Sequence, residues 1–137
     1  MNGLTAYFLV AIGGAVGSMA RYGVTLTASR AWGPEFPWGT ILINVLGSFA
    51  IAFFGRLTAP NGVVPASQGP RILVMVGFCG GFTTFSSFSL QTLELTQTGH
   101  WVAAAGNILL SVFPCVAAAA AGYYMAALLG AAPATEP

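Results

Sequence analysis

The sequence predicts an all-α membrane protein with four transmembrane helices, on three observations: very little charge, four long apolar runs, and loop punctuation between the runs. Of its 137 residues, 56% are hydrophobic and 5% charged, against roughly 25% charged in an ordinary soluble domain. There is no Lys and no Asp. The charges are Arg21, Arg30, Arg56, Arg71, Glu35, Glu94 and Glu136, and His100 is the single histidine. A water-soluble fold built from this chain would have almost nothing polar to place on its surface.

A helix needs about 20 apolar residues to cross a hydrocarbon core about 30 Å thick. The first stretch that qualifies runs from Leu4 to Leu26 and contains "GGAVGSMARYG". The spacings Gly13 to Gly17 and Gly14 to Ser18 are small-residue repeats that let helix backbones approach closely, and packing accounts for them without a pathway. Its apolar part, Leu4 to Val16, leads to "SMA", a pattern like a signal-peptide cleavage site, but the "MNG" before that run has no positive charge. It is therefore expected to remain as a membrane helix. Arg21, at its membrane edge, either snorkels to water or draws an anion into a vestibule.

The second stretch, Trp38 to Leu57, carries "WGTILINVLGSF", with Asn44 inside an otherwise apolar run. Its amide has two N–H donors, which suit a desolvated anion or bind a neighbouring helix. The third runs from Ile72 to Leu95 and the fourth from Trp101 to Leu129, where Asn107, Ser111 and Cys115 recur at four-residue spacing and form a mildly polar stripe. The connectors "SRAWGPEFP", "TAPNGVVPASQGP" and "TQTGH" read as loops. Residues 1–130 form a single four-helix domain, followed by a short tail, 131–137, expected to be disordered.

Orientation in a membrane follows the excess of Arg and Lys in cytoplasmic loops. Here one side holds Arg21 and Arg30, and the other, with both termini, holds Arg56 and Arg71. The two sides balance, so copies are expected to insert both ways. Antiparallel pairing then becomes possible, and a dual-topology homodimer is the predicted assembly. The location expected is a bacterial-type cell inner membrane, with several passes and lipid around it.

The third stretch is the most informative. "GFCGGFTTFSSFSL" places glycines, threonines and serines where backbone and hydroxyl groups need partners. Gly costs about 1 kcal/mol in a helix relative to Ala, and Ser and Thr compete for the helical hydrogen bonds. A break near mid-membrane is the expectation. It is tolerated where the freed carbonyls are buried, face water or hold an ion, and such carbonyls suit a small cation such as Na⁺. After the break, Phe85 and Phe88 share a helix face, with Thr84 and Ser87 on or beside it. Aromatic edges are positive and hydroxyls donate hydrogen bonds, so together they could hold an anion without a formal charge. Rings facing lipid or a neighbouring helix are the plainer explanation.

Other classes lack their residues. A net charge of +1 gives no basic face for nucleic acid. No carboxylate lies deep in a segment to serve an enzyme's general acid–base chemistry, and Cys79, Cys115 and His100 are too scattered for a zinc site.

At "GGAVGSMARY", "WGTILINVLGSF" and above all "GFCGGFTTFSSFS", the sequence resembles the Fluc, or CrcB, family of small bacterial fluoride channels. The likeness runs from Gly13 to Gly122. It implies an antiparallel dual-topology homodimer with two fluoride pathways, each built from both subunits, that let F⁻ leave the cell and so confer fluoride resistance. It also implies a central structural Na⁺ held by the backbone carbonyls of Gly80 and Thr83. Phe85 and Phe88 would contact the anion, with Asn44 as a donor, Ser111 on a polar track, Thr84 and Ser87 beside the rings, and Arg21 at the membrane edge. Three positions depart from the family pattern: Gln91 where a Glu is usual, Asn107 for a Tyr, and Cys115 for a Ser.

Fluoride is small, hard and strongly hydrated, so a pore for it must supply many short donors. A proton-coupled exporter of the small multidrug type is a rival, but the segment Leu4 to Arg21 contains no acid to carry the proton. A non-transporting membrane subunit is another, and it leaves the hydroxyl-rich stretch without a purpose.

Overall fold

A computed structural model describes residues 2–131, and within them the chain is all helix and connecting loop. Four helical segments are long and apolar enough to cross a membrane: Gly3–Trp32, Trp38–Leu57, Gln68–Gln97 and Trp101–Gly130. The first two are the helices α1 (Gly3–Trp32) and α2 (Trp38–Leu57). Helix α1 runs six residues past Leu26, because "TLTASRAW" contains nothing that ends a helix. It stops at Gly33, whose φ of 81° only glycine adopts easily and whose amide donates to the Ser29 carbonyl at 3.0 Å.

The third segment is not one regular α-helix. A single turn, α3 (Gln68–Arg71), leads into a π-helical stretch over Ile72–Cys79, then a short turn α4 (Gly80–Phe82), and then α5 (Phe85–Gln97). Between α4 and α5, Thr83 (φ −79°, ψ 158°) and Thr84 (φ −153°, ψ 105°) are extended. The glycines expected to interrupt the helix are themselves helical, Gly80 having φ −64° and ψ −36°. Their role is close contact. A Cβ on Gly13 would collide with the Leu73 carbonyl oxygen, one on Gly17 with that of Phe78, and one on Gly81 would fall 2.9 Å from the Gly14 Cα. The small-residue repeats of α1 thus let α1 cross the π-helical stretch and α4 within the same chain, backbone against backbone.

Helix α6 (Trp101–Ala131) follows a turn at Gly99, where φ is 79°. It passes through Pro114, a residue without an amide to donate to the preceding turn. Its contact with α2 is the most extensive in the chain, and α5 packs on it as well. Residues 132–137, most of the tail expected to be disordered, lie outside the described residues, while Ala131 closes α6.

Burial is inverted relative to a soluble protein. Leu4, Phe8, Ile12 and Val16 on α1, and Val102, Leu109 and Leu128 on α6, are exposed, whereas Asn107, Ser111, Thr84 and Thr40 are buried. In lipid there is no reward for hiding apolar surface, and polar groups are the ones that must be enclosed. Hydroxyls on the outer faces find partners locally: Thr25, Thr27, Ser89 and Thr98 each donate to the carbonyl four residues earlier.

Candidate ion pathway

The extended pair Thr83 and Thr84 is held from the side by α2. Asn44 Nδ2 donates to the Thr84 carbonyl at 3.1 Å, and the Thr84 amide donates to Asn44 Oδ1 at 2.8 Å. In a continuing α-helix that amide would point at the Gly80 carbonyl. One side chain therefore replaces both backbone partners that Thr84 has lost, and keeps a second amide N–H in reserve.

Thr84 also starts α5. Its Oγ1 accepts from the Ser87 amide at 3.2 Å, satisfying one of the amides a helix start leaves open, and donates to Ser87 Oγ at 2.9 Å. Since Ser87 Oγ accepts there, its own proton is available to another group. Thr83 is tied back differently: its amide and its hydroxyl both donate to the Cys79 carbonyl, at 3.0 and 2.9 Å. Its methyl group lies where a Cβ on Gly47 would collide with it, so the glycine in "VLGSF" makes room for it.

Two cavities flank this pair of residues. One, of about 360 Å³, is walled by Asn44, Thr83, Phe85, Phe88 and Ser111, with Cys115 further along. The other, of about 220 Å³, is walled by Arg21, Thr84 and Ser87 together with Ser18, Thr40 and Gln91. The residues read from the sequence as pathway residues are thus divided between two spaces, with Thr83 lining one and Thr84 the other. The rings of Phe85 and Phe88 are 5.2 Å apart at 50°. Phe88 is 8% exposed and Phe85 76%, so the second ring stands out from the chain.

A hydrogen-bonded chain supports the wall on the α6 side. Ser111 Oγ donates to Asn107 Oδ1 at 3.4 Å, Asn107 Nδ2 donates to Thr92 Oγ1 at 2.9 Å, and Thr92 donates to the Phe88 carbonyl at 2.7 Å. It joins the polar stripe of α6 to the backbone of the buried ring. Gln91 lines the smaller cavity, and its Oε1 is buried without a partner among the described residues.

For a metal, the described residues contain no group of three or more His, Cys, Asp or Glu. The Gly80 carbonyl, which lacks the Thr84 amide as a donor, and the extended Thr83 carbonyl are hard oxygen donors of the kind Na⁺ takes. Gly80 is exposed, with open space beside it.

Among the wall residues not singled out in the sequence are Thr40 and Ser48, which lie one turn either side of Asn44, and that four-residue spacing is a signal present in "WGTILINVLGS". Thr92, which supports the wall through Asn107, gave no signal, since that partner is on another helix.

Comparison with known proteins gives the family. A chain from Methylobacterium radiotolerans named "Fluoride-specific ion channel FluC" is 53% identical over 123 residues, covering 90% of this chain and 85% of its own. Proteins of the same name from Methylocella silvestris and Gluconobacter oxydans are 51% identical over 120 residues (88% of this chain, 92% of the relative) and 50% identical over 123 residues (89% and 85%). The family model "CrcB-like protein, Camphor Resistance (CrcB)" matches residues 8–123, from within α1 to beyond Gly122 of α6, and so the chain belongs to the CrcB family.

Proposed function

We propose that this chain is a fluoride-selective ion channel, through which F⁻ leaves the cell passively and by which the cell resists fluoride. The observation that carries the reading is the pair of cavities either side of Thr83 and Thr84, each with hydroxyl or amide donors inside a nearly chargeless membrane protein. The names of the relatives point to the same ion.

The chemistry suits a small anion. The spare amide N–H of Asn44 and the free hydroxyl proton of Ser87 are donors on either side of the extended pair. The positive edges of Phe85 and Phe88 add attraction without offering a fixed charge that would trap the ion. Arg21, beside Ser87 and Gln91, would raise the local anion concentration. Selectivity against chloride would come from the narrowness of the path and the density of donors. No step needs a nucleotide or a covalent intermediate.

The assembly we propose is an antiparallel, dual-topology homodimer in the cell inner membrane, with the third segment broken near mid-membrane at Thr83 and Thr84. Balanced loop arginines support it, as do the outward Phe85 and the exposed Gly80, which a second copy would cover. A central Na⁺, held by the Gly80 and Thr83 carbonyls of both copies, would supply positive potential and fix the two chains together.

Efflux of fluoride from liposomes holding only the purified protein, with a potassium ionophore present and chloride efflux as the control, tests the reading. Rapid fluoride loss with chloride retained is expected. Efflux that required a proton gradient would make the protein a coupled exporter. No efflux from well-folded protein would leave it a non-transporting subunit.

A further inference from the structure

At the end of the molecule away from Phe85, an open-sided cavity of about 520 Å³ lies between the last turn of α2, the single turn α3 and the Tyr123 region of α6. Two guanidinium groups, Arg56 and Arg71, sit on its wall. Each is held in place by neutral oxygens. Arg71 Nη1 donates to the Gly55 carbonyl at 3.1 Å and to Thr58 Oγ1 at 2.7 Å, and Arg56 Nη1 donates to the Asn61 carbonyl at 3.1 Å. The Arg56 guanidinium also lies 5.9 Å from the centre of the Tyr123 ring.

These contacts orient the two groups without neutralising them. A guanidinium has five N–H donors, and each of these uses one nitrogen to anchor itself. The chain has three acidic side chains: Glu35, Glu94 and Glu136. Glu35 precedes α2, and the helix from Trp38 to Leu57 separates it from Arg56 by about 30 Å at 1.5 Å per residue. Glu94 is near the far end of α5, and Glu136 lies outside the described residues. Among the described residues, then, this end of the protein holds two oriented, half-buried positive charges and no negative one.

We propose that Arg56 and Arg71 form a binding site for a phosphate group, and that its occupant is the headgroup of an anionic phospholipid. Two forked, pre-oriented guanidiniums match the several oxygens of a phosphate better than a halide, a single atom that offers no pair of oxygens for a bidentate contact. Both arginines sit at the ends of membrane-spanning segments, at headgroup depth, where a lipid phosphate is always present. One turn deeper, the wall becomes Ile51 and Met75, an apolar surface that the start of an acyl chain would cover and a free phosphate would not use.

The test is thermal unfolding of the purified full chain in a neutral maltoside detergent. It is titrated separately with dioctanoyl phosphatidylglycerol, dioctanoyl phosphatidylcholine and inorganic phosphate. A ligand that binds only the folded protein raises Tm with concentration. Phosphatidylglycerol is expected to raise it, the other two much less. Arg56→Gln is expected to fold, since its guanidinium touches only a loop carbonyl and a ring, and to lose most of the rise. Arg71→Gln should lose it too, although the loss of its bond to Thr58 lowers the starting Tm. An equal rise with inorganic phosphate would overturn the lipid assignment. An equal rise with phosphatidylcholine, a rise unchanged in Arg56→Gln, or no rise at all would overturn the site.

Discussion

The third membrane segment has two halves that meet at Thr83, and they differ in what their small and polar residues are for. On the N-terminal side, Gly77 and Gly81 press against Gly13 and Gly14 of α1 with no side chain between them. On the C-terminal side, Thr84, Ser87 and Thr92 make hydrogen bonds to other helices or along their own, and Thr84 and Ser87 line open space. Glycines adjacent to a hydroxyl-rich stretch look like one feature in the sequence. They are two, one that closes the chain on itself and one that lines the cavities with hydroxyl groups.

Substitutions should separate the halves. The largest effect is expected from Gly13→Val, because the added atoms meet the Leu73 carbonyl and the Phe78 amide, which are backbone and cannot turn aside. We expect a loss of at least about 3 kcal/mol, read as failure to recover folded protein on size exclusion. Recovery of wild-type amounts would mean the glycine contact is dispensable.

Asn44→Ala comes next. It strips the Thr84 amide and carbonyl of their partners, at about 1–3 kcal/mol for each group left unpaired, and should lower Tm and fluoride efflux together. An efflux defect without a change in Tm would show that Asn44 serves the ion and not the backbone.

A smaller effect is expected from Thr92→Val, which leaves one donor of the fully buried Asn107 without its acceptor, at about 1–3 kcal/mol. Efflux should fall in proportion to how far Phe88 shifts, and a unchanged Tm would mean water or a partner chain replaces the hydroxyl. Gly23→Ala lies on the same helix as Gly13 but faces open space, with nothing within 4 Å of the added atom. It should be neutral or stabilise by up to about 1 kcal/mol, and a large loss there would break the distinction between packed and free glycines.

The four spans were legible because each is a run of apolar residues with a turn signal at either end, and α2 begins and ends where its pattern does. The end of α1 was not, since nothing in "TLTASRAW" marks Leu26 as a boundary until Gly33 allows the turn. At the candidate site, Asn44, Phe85, Phe88 and Ser111 could be picked out as polar or aromatic residues at helical spacing, and all four face one cavity. Which groups answer Asn44 could not be read, because its partner Thr84 is 40 positions away. The π-helical winding of Ile72–Cys79 likewise depends on the fit against α1, which no local pattern in "ILVMVGFC" expresses.

We propose that the C-terminal half of the third segment conducts, through the rings of Phe85 and Phe88, whose centres lie 5.2 Å apart at 50°. The most direct test is fluoride efflux from liposomes by wild-type protein beside a Phe85→Ile, Phe88→Ile double variant, at matched amounts of assembled protein. Both replacements keep the apolar volume class but remove the positive ring edges. The variant is expected to assemble like wild type and to lose fluoride efflux. Wild-type efflux from the variant would contradict the proposal, and would remove the phenylalanines from the pathway.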